Sequence, residues 1–68
     1  MGYDILGRRA DGRGTIELER NQASEAAAIN TAAAIFKADH SWAMVWVMDR
    51  ERHTAVWLYD RPAGANEP

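Results

Sequence analysis

The chain has no cysteine, and this absence removes two means of stabilising a short protein. Among its 68 residues there is no Cys, so neither disulfides nor thiolate metal sites can form. A domain of this size buries only about 60% of the surface that its unfolded chain exposes. Oligomerisation remains as a common way to add buried surface. We therefore expect a dimer or a higher oligomer.

The chain also lacks an excess of positive charge and a long hydrophobic run. Eight Lys and Arg residues against ten Asp and Glu residues give a formal net charge of −2, whereas nucleic-acid-binding domains are typically basic. No apolar run approaches the roughly 20 residues that span a bilayer. The first residues lack the basic and apolar regions of a signal peptide. We expect a cytoplasmic protein that binds neither nucleic acid nor membrane.

Motifs for catalysis, cofactor binding and metal binding are missing as well. The sequence contains no nucleophile elbow, no phosphate-binding glycine loop and no HExxH motif. His40 follows Asp39, and His53 ends a charged segment, but no third ligand has a suitable spacing for a metal. A domain this small also has little room for an enclosed pocket. We expect no enzymatic activity, no cofactor and no metal site.

The first half of the chain has the alternation of a β-hairpin. Residues 3–20 surround the pair Asp11-Gly12, which tolerates positive φ and is a strong signal for a tight turn. One face of this hairpin is apolar and the other is largely charged, with Leu6 as its only large apolar residue. The turn predicts two cross-strand pairs, which are Ile5 with Leu18 and Gly7 with Ile16.

An alanine-rich segment between the two halves has the composition of a helix. We predict a helix over residues 21–38, because alanine has the highest helix propensity. Asn21 is the expected N-cap, and Ser24 is a competing cap. The expected core stripe has the i, i+4, i+7 spacing of an amphipathic helix and comprises Ile29, Ala33 and Phe36.

The second half of the chain predicts a hairpin that is apolar on both faces. Residues 42–48 and 55–59 are apolar, and residues 49–53 form a charged turn between them. A turn centred on Glu51-Arg52 pairs Trp46 with Trp57, Met44 with Tyr59 and Val47 with Val56. Since successive side chains of a strand alternate, this register separates two sets. The first set is Trp42, Met44, Trp46, Met48, Ala55, Trp57 and Tyr59. The second set is Ala43, Val45, Val47, Val56 and Leu58.

Either face of this hairpin could lie under the helix, and the other face then needs a second cover. Trp, Tyr and Met are enriched at protein interfaces, so we favour the aliphatic face as the one under the helix. The cover of the other face is a second copy of the chain or another protein. The predicted partner-binding residues are Trp42, Met44, Trp46, Met48, Trp57 and Tyr59.

These elements predict an α+β fold in the order β-β-α-β-β. A single helix packs on an antiparallel sheet of about four strands, in one domain that spans residues 1–61. Residues 62–68 are expected to be a disordered tail. The strand order stays open, because the two hairpins could pair within one chain or across a dimer.

The pattern favours a small non-enzymatic protein-interaction module. An adaptor or an inhibitor, such as a phage-type inhibitor of a host or defence complex, is a concrete form of such a module. One alternative is a module that binds RNA or single strands through arginine-rich hairpin tips and sheet aromatics. Another is an oligomerisation unit with no other target. The residues of the nucleic-acid alternative are Arg8, Arg9, Arg13, Arg50 and Arg52.

Overall fold

The computed structural model describes residues 2–10, 12 and 14–60, which form four strands and one helix. The elements are β1 (Tyr3–Arg9), β2 (Ile16–Gln22), α1 (Glu25–Ala38), β3 (Trp42–Asp49) and β4 (Thr54–Asp60). One helix packs on a four-stranded antiparallel sheet, which confirms the predicted α+β fold. Arg13 and the predicted tail at residues 62–68 lie outside the described residues.

The sheet has the strand order β2-β1-β3-β4. The two hairpins therefore pair within one chain, through their first strands, which answers the question that the sequence left open. Since β2 and β3 are both antiparallel to β1, they run parallel to each other. Parallel strands need a crossover connection, and α1 provides it. The sheet thus has two central strands, β1 and β3, and two edge strands.

The helix begins at Glu25, later than the sequence predicted. Ser24 is the N-cap, and its side-chain oxygen accepts a hydrogen bond from the backbone N–H of Ala27 at 3.1 Å. Asn21 instead belongs to β2 with a φ of 59°, a left-handed conformation that Asn tolerates. The backbone N–H of Asn21 donates to Oδ1 of Asp4 at 3.0 Å, which holds this residue against β1. The prediction of Asn21 as N-cap was wrong.

The core lies between α1 and one face of the sheet. On the helix, the two fully buried residues are Ala28 and Ala32, one position before the predicted stripe, while Ile29, Ile35 and Phe36 pack around them. Alanine at the centre of the contact lets the helix backbone approach the sheet closely, and the larger side chains fill the sides. The buried hydrophobic residues of the sheet are Ile5, Trp42, Val45 and Val47.

The first hairpin follows the predicted register only near its turn. Gly7 pairs with Ile16, as predicted, and Leu6 pairs with Glu17. The next pair is Ile5 with Glu19, so Leu18 is an extra residue on β2 and forms a bulge. The predicted pair of Ile5 with Leu18 was therefore wrong.

The second hairpin also departs from its predicted register after the first pairs. Met48 pairs with Ala55, as a turn centred on Glu51-Arg52 requires, but Val47 pairs with Trp57. Val56 is thus an extra residue on β4, and every later pair is shifted by one position. The predicted pairs Trp46–Trp57, Met44–Tyr59 and Val47–Val56 were wrong. The observed pairs are Val47–Trp57, Trp46–Leu58, Val45–Tyr59 and Met44–Asp60.

The pairing of β1 with β2 shifts a second time between Ile5 and Tyr3, which pairs with Gln22. Another bulge lies at the start of β3. Arg8 pairs with Met44 and the following residue, Arg9, pairs with Trp42, so Ala43 is the extra residue. The bulge turns Trp42 to the side of the sheet that faces the helix. There Trp42 joins the core with only 4% of its surface exposed.

Candidate protein-interaction surface

The face of the sheet that points away from α1 carries five large apolar side chains. Leu6, Trp46 and Leu58 form a row across β1, β3 and β4, because Leu6 pairs with Trp46 and Trp46 pairs with Leu58. Met44 and Met48 lie on β3, two positions from Trp46 on either side. These five residues are called the open face below.

Among the described residues, no helix or strand covers the open face. Four of its side chains are half-buried by their neighbours in the sheet, and Leu58 is 49% exposed. Each strand alternates between this face and the buried face, so that Leu6 lies between Ile5 and Gly7, both of which are buried. Contiguous apolar patches of this kind on soluble proteins commonly mark interaction sites.

Charged side chains lie at both ends of the open face. At one end, Met44 has Arg8 beside it on β1 and Asp60 beside it on β4. At the other end, Met48 has Asp4 beside it on β1. Oδ2 of Asp4 forms an ion pair with Nε of Arg50, at a distance of 3.4 Å. The open face is therefore an apolar row with a polar rim, which is the usual anatomy of a protein interface.

A second ion pair lies at the β2 side of the open face. Glu17 shares the face of Leu6, its partner in the ladder. Its Oε1 lies 2.9 Å from Nη2 and 3.1 Å from Nε of Arg20. The hydrogen bond and the charge of Glu17 raise the pKa of Arg20 above its ordinary value. The ion pair reduces the net charge at this edge of the face.

The six residues predicted to bind a partner do not share one face. Met44, Trp46 and Met48 lie on the open face, as part of β3. Trp42, Trp57 and Tyr59 lie on the helix side, where Trp57 pairs with Val47 and Tyr59 pairs with Val45. The Tyr59 ring stacks on Phe36 of α1 with a centroid distance of 5.7 Å. The bulges at Ala43 and Val56 cause this division, because each one reverses the alternation of the strand beyond it.

Two residues of the open face were missing from the predicted set. Leu6 had a signal in the sequence, since it is the one large apolar residue on the polar face of the first hairpin. Leu58 had none, because the unshifted register assigned it to the same face as Val45 and Val47. The observed pair of Leu58 with Trp46 places it on the opposite side.

Trp42 is held on the helix side by a specific set of contacts. Its indole lies against Gly7, and the guanidinium carbon of Arg9 is 4.1 Å from a ring centroid of Trp42, which is a cation–π contact. Trp42 therefore contributes to the core, and its predicted role as a partner-binding residue would require the helix side of the sheet to open.

Arg9 also joins a polar cluster at the end of α1. Its Nη1 donates to Oδ2 of Asp39 at 3.1 Å and to the hydroxyl of Ser41. The hydroxyl and the backbone N–H of Ser41 both donate to Oδ1 of Asp39, at 2.7 and 2.9 Å. The hydrogen bonds from Ser41, followed by the contact with Arg9, lower the pKa of Asp39. The cluster links β1 to the loop that follows the helix.

The arginines of the nucleic-acid alternative are mostly engaged in ion pairs. Arg9 pairs with Asp39 at 3.1 Å, Arg50 with Asp4 at 3.4 Å and Arg52 with Asp49 at 3.8 Å. Arg8 is exposed and forms no ion pair with another described residue. Arg13 lies outside the described residues. The structure brings no group of unpaired arginines together in the part of the chain that it describes.

The two edge strands differ in how they are protected. β2 carries the charged residues Glu17, Glu19 and Arg20, with Leu18 between the two glutamates. Charged side chains on an edge strand discourage its pairing with strands of other chains. β4 is apolar along most of its length, and its residues 55–58 line a shallow open concavity of about 350 Å³. Trp57 is 47% exposed on the helix side of this strand. The exposed large apolar side chains of the described chain are Trp57 and Leu58 on β4 and Ile16 at the start of β2.

The histidines lie apart from one another in the fold. His40 is exposed in the loop after α1, and His53 is exposed in the β3–β4 turn with a φ of 56°. Within residues 2–10, 12 and 14–60, no three His, Asp or Glu side chains are grouped closely enough to hold a metal ion.

Comparison with known proteins gave no relative for this chain. No protein-family model, curated protein or solved structure matches it significantly. In the part of the chain that the structure describes, no helix has the length and hydropathy needed to cross a bilayer.

Proposed function

We propose that this protein is a non-enzymatic protein-interaction module that binds protein through the open face. The observation that carries the proposal is the row of Leu6, Trp46 and Leu58, which lies on the side of the sheet opposite α1 and carries no cover within the described chain. Burying such a row stabilises a complex by about 25 cal/mol per Å² of apolar surface before the costs of association.

Trp46 is the residue on which binding depends most in this proposal. It lies at the centre of the open face, with Met44 and Met48 along its strand and Leu6 and Leu58 on the neighbouring strands. Central aromatic residues surrounded by apolar neighbours are typical hot spots, and their truncation costs 2 kcal/mol or more, as an order of magnitude.

The chain offers a matched pair of tryptophans with which to test the proposal. Trp46 lies on the open face, whereas Trp57 lies on the helix side of the adjacent strand. We expect wild-type protein to self-associate in sedimentation equilibrium at micromolar concentration. Trp46→Ala should abolish that association, and Trp57→Ala should retain it. Association that is lost in Trp57→Ala and kept in Trp46→Ala would assign the interaction to the other side of the sheet.

Val45 provides a control for folding in the same strand. It is fully buried under α1, so Val45→Ala should lower the free energy of unfolding by roughly 1–3 kcal/mol. The interaction surface of the folded variant should be unchanged. If Val45→Ala dissociates a complex and leaves the stability of the folded chain unaltered, the proposed assignment of the two faces is wrong.

A further inference from the structure

The charges around the open face form two ends that complement each other. On β1, Arg8 lies at one end and Asp4 at the other, four positions apart. On the far side of the face, Asp60 ends β4 at the Arg8 end. At the Asp4 end, the guanidinium of Arg50 contacts the Asp4 carboxylate itself, at 3.4 Å. A cation on β1 and an anion on β4 thus occur at one end. At the other end, the anion on β1 is Asp4, which forms an ion pair with Arg50 of its own chain.

We propose that the open face binds a second copy of this chain, related to the first by a two-fold axis that crosses the strands at Trp46. This inference rests on the proposed function and names the partner of the same surface. A rotation about this axis brings each strand onto the same strand of the second copy and exchanges its two ends. The two sheets then pack face to face with their strands antiparallel, which is the aligned class of sheet packing.

The arrangement pairs opposite charges and apolar side chains simultaneously. Arg8 of each copy faces Asp4 of the other, and Met44 faces Met48. Trp46 meets Trp46 of the second copy at the axis. Every off-axis contact occurs twice, as a two-fold interface requires. The apolar row is buried at the centre, and the ion pairs form at both ends, where they also select the orientation.

The charged groups are available for these contacts. Arg8 is exposed and forms no ion pair with another described residue. Asp4 uses Oδ1 to accept from the N–H of Asn21 and Oδ2 to contact Arg50, and 18% of its side chain stays exposed. An approaching Arg8 would give Asp4 a cation on a second side. A carboxylate has about four acceptor positions, so it can accept this additional donor.

A second symmetric way to stack the two faces is unfavourable. A two-fold axis parallel to the strands, between β1 and β3, would bring β1 of each copy onto β3 of the other. Arg8 would then face Met44, and Asp4 would face Met48. Charges buried against thioether side chains without a partner carry a large desolvation cost. The distribution of charge therefore distinguishes between the two axes.

Two like-charge contacts arise in the proposed arrangement, and a group of opposite charge compensates each of them. Arg8 of one copy approaches Arg50 of the other, with the carboxylate of Asp4 between the two cations. The second contact lies at the β2 edge. Glu17 lies in the same row as Leu6 and Trp46, so it comes near Glu17 of the second copy at the edge of the interface. Arg20 contacts each of these carboxylates at 2.9 Å. The charge of Arg20 thus offsets the repulsion between the two Glu17 carboxylates, which lie at an edge that solvent also reaches.

The size of the face sets the expected strength of the dimer. Four strands of about seven residues, spaced by about 4.8 Å with a rise of about 3.3 Å per residue, project an area of about 400 Å². Standard interfaces bury about 800 Å² per partner. We therefore expect a dimer with a dissociation constant in the micromolar range, populated only at correspondingly high concentrations.

Charge exchange at Arg8 and Asp4 tests the arrangement directly. Arg8→Asp leaves two anions on β1, and Asp4→Arg leaves two cations. Each variant alone should dimerise about tenfold more weakly than wild type, because like charges then meet twice in each dimer. Mixed together, the two variants form complementary contacts at both ends. Native mass spectrometry should then show the heterodimer in excess over the proportion that random exchange gives.

A second pair of variants controls for the change in net charge. Lys37→Asp and Glu25→Arg lie on exposed positions of α1, on the other side of the sheet. Lys37→Asp changes the net charge of the chain from −2 to −4, as Arg8→Asp does. Glu25→Arg changes it from −2 to 0, as Asp4→Arg does. This control mixture should give heterodimers at the random proportion. Circular dichroism verifies that all four variants are folded.

The possible outcomes separate the arrangement from the proposed function. If wild-type protein dimerises and Trp46→Ala does not, but the Arg8→Asp and Asp4→Arg variants mix at random, the two-fold arrangement is wrong and the interaction through the open face stands. If wild-type protein stays monomeric at millimolar concentration, the two-fold dimer is ruled out, whereas binding of a different protein through the open face is not.

Cross-linking provides a test that does not depend on the fold of Asp4→Arg. The chain has no cysteine, so single-cysteine variants react only at the chosen position. Stacked sheets lie about 10 Å apart, and a bis-maleimide of similar length should bridge them. We expect Met44→Cys to cross-link with Met48→Cys in a mixture. Cross-linking of Met44→Cys with Arg8→Cys instead would indicate the axis parallel to the strands and overturn the proposal.

Discussion

The indole of Trp42 lies against Gly7 on the helix side of the sheet, at a distance that leaves no space for a side chain on Gly7. A Cβ atom at Gly7 would lie 2.9 Å from Cζ3 of Trp42 and 3.1 Å from Cδ1 of Leu18. Arg9 covers the same indole with its guanidinium group. The absence of a side chain at Gly7 thus makes it possible for the bulged start of β3 to bring a large aromatic residue into the core.

This contact predicts that Gly7→Ala is destabilising, although alanine is a small residue. Overpacking a close contact costs about 1–3 kcal/mol, and we expect a loss of that size in the free energy of unfolding, measured with urea. The same substitution should cost less in a Trp42→Phe background, because the smaller ring leaves room for a methyl group. Equal costs in the two backgrounds would show that the indole is not the source of the effect.

Two alanine substitutions, one at the N-cap of α1 and one within the helix, should have opposite effects on the free energy of unfolding. Ser24→Ala removes the acceptor for the N–H of Ala27 and should lower the free energy of unfolding by about 1 kcal/mol. Asn30→Ala, at an exposed position within α1, should raise it by a few tenths of a kcal/mol, because alanine has the higher helix propensity. Thermal unfolding followed by circular dichroism measures both. A Ser24→Ala variant as stable as wild type would contradict the assignment of the cap.

The cluster around Asp39 predicts a loss of stability in acid. Hydrogen bonds from Ser41 and the contact with Arg9 lower the pKa of Asp39 in the folded protein. The folded state therefore favours the ionised carboxylate. Its contribution to stability is present above the unfolded pKa of about 3.9. That contribution is lost as the pH falls through the lower, folded value.

Urea unfolding of wild type and Asp39→Asn at a series of pH values measures this contribution. The difference in the free energy of unfolding between the two proteins should be greatest near neutral pH. It should shrink as the solution becomes acidic. A difference that stays constant from about pH 6 to about pH 2 would mean that Asp39 does not contribute through its charge.

The paired state of the arginines predicts that the protein does not bind nucleic acid. Arg9, Arg50 and Arg52 already contact carboxylates, and the net charge is −2. Fluorescence anisotropy with a mixed pool of oligonucleotides should show no binding at about 150 mM salt. Micromolar binding that disappears when Arg8, Arg9 and Arg13 are all changed to Ala would support the nucleic-acid alternative.

If such binding occurred, its salt dependence would report the number of phosphate contacts. Each contact contributes about 0.9 to the slope of log affinity against log salt on duplex DNA and about 0.7 on single strands. The triple substitution would then lower the slope by roughly 2–3 units. An unchanged slope would place the contacts elsewhere on the protein.

Local sequence determined the elements of the fold and the pairing next to each turn. The alternation of β1, the alanine content of α1 and the apolar strands of the second hairpin each reflect a short-range preference of the chain. A tight turn also defines the pairs beside it, which is why Gly7 lies opposite Ile16 and Met48 lies opposite Ala55. These features depend on neighbours within a few residues, so they can be read from the sequence.

Only the tertiary structure decided which residues form the open face. The bulges at Ala43 and Val56 depend on how β3 fits between β1 and β4 while its other face packs under α1, and no turn signal marks them. A shift of one residue reverses every side chain beyond it. The bulge at Ala43 therefore placed Trp42 on the helix side, and the bulge at Val56 placed Trp57 on the helix side and Leu58 on the open face. The apolar residues of the second hairpin determined that its strands have two apolar faces. Packing against the helix determined which of these side chains lie on the open face.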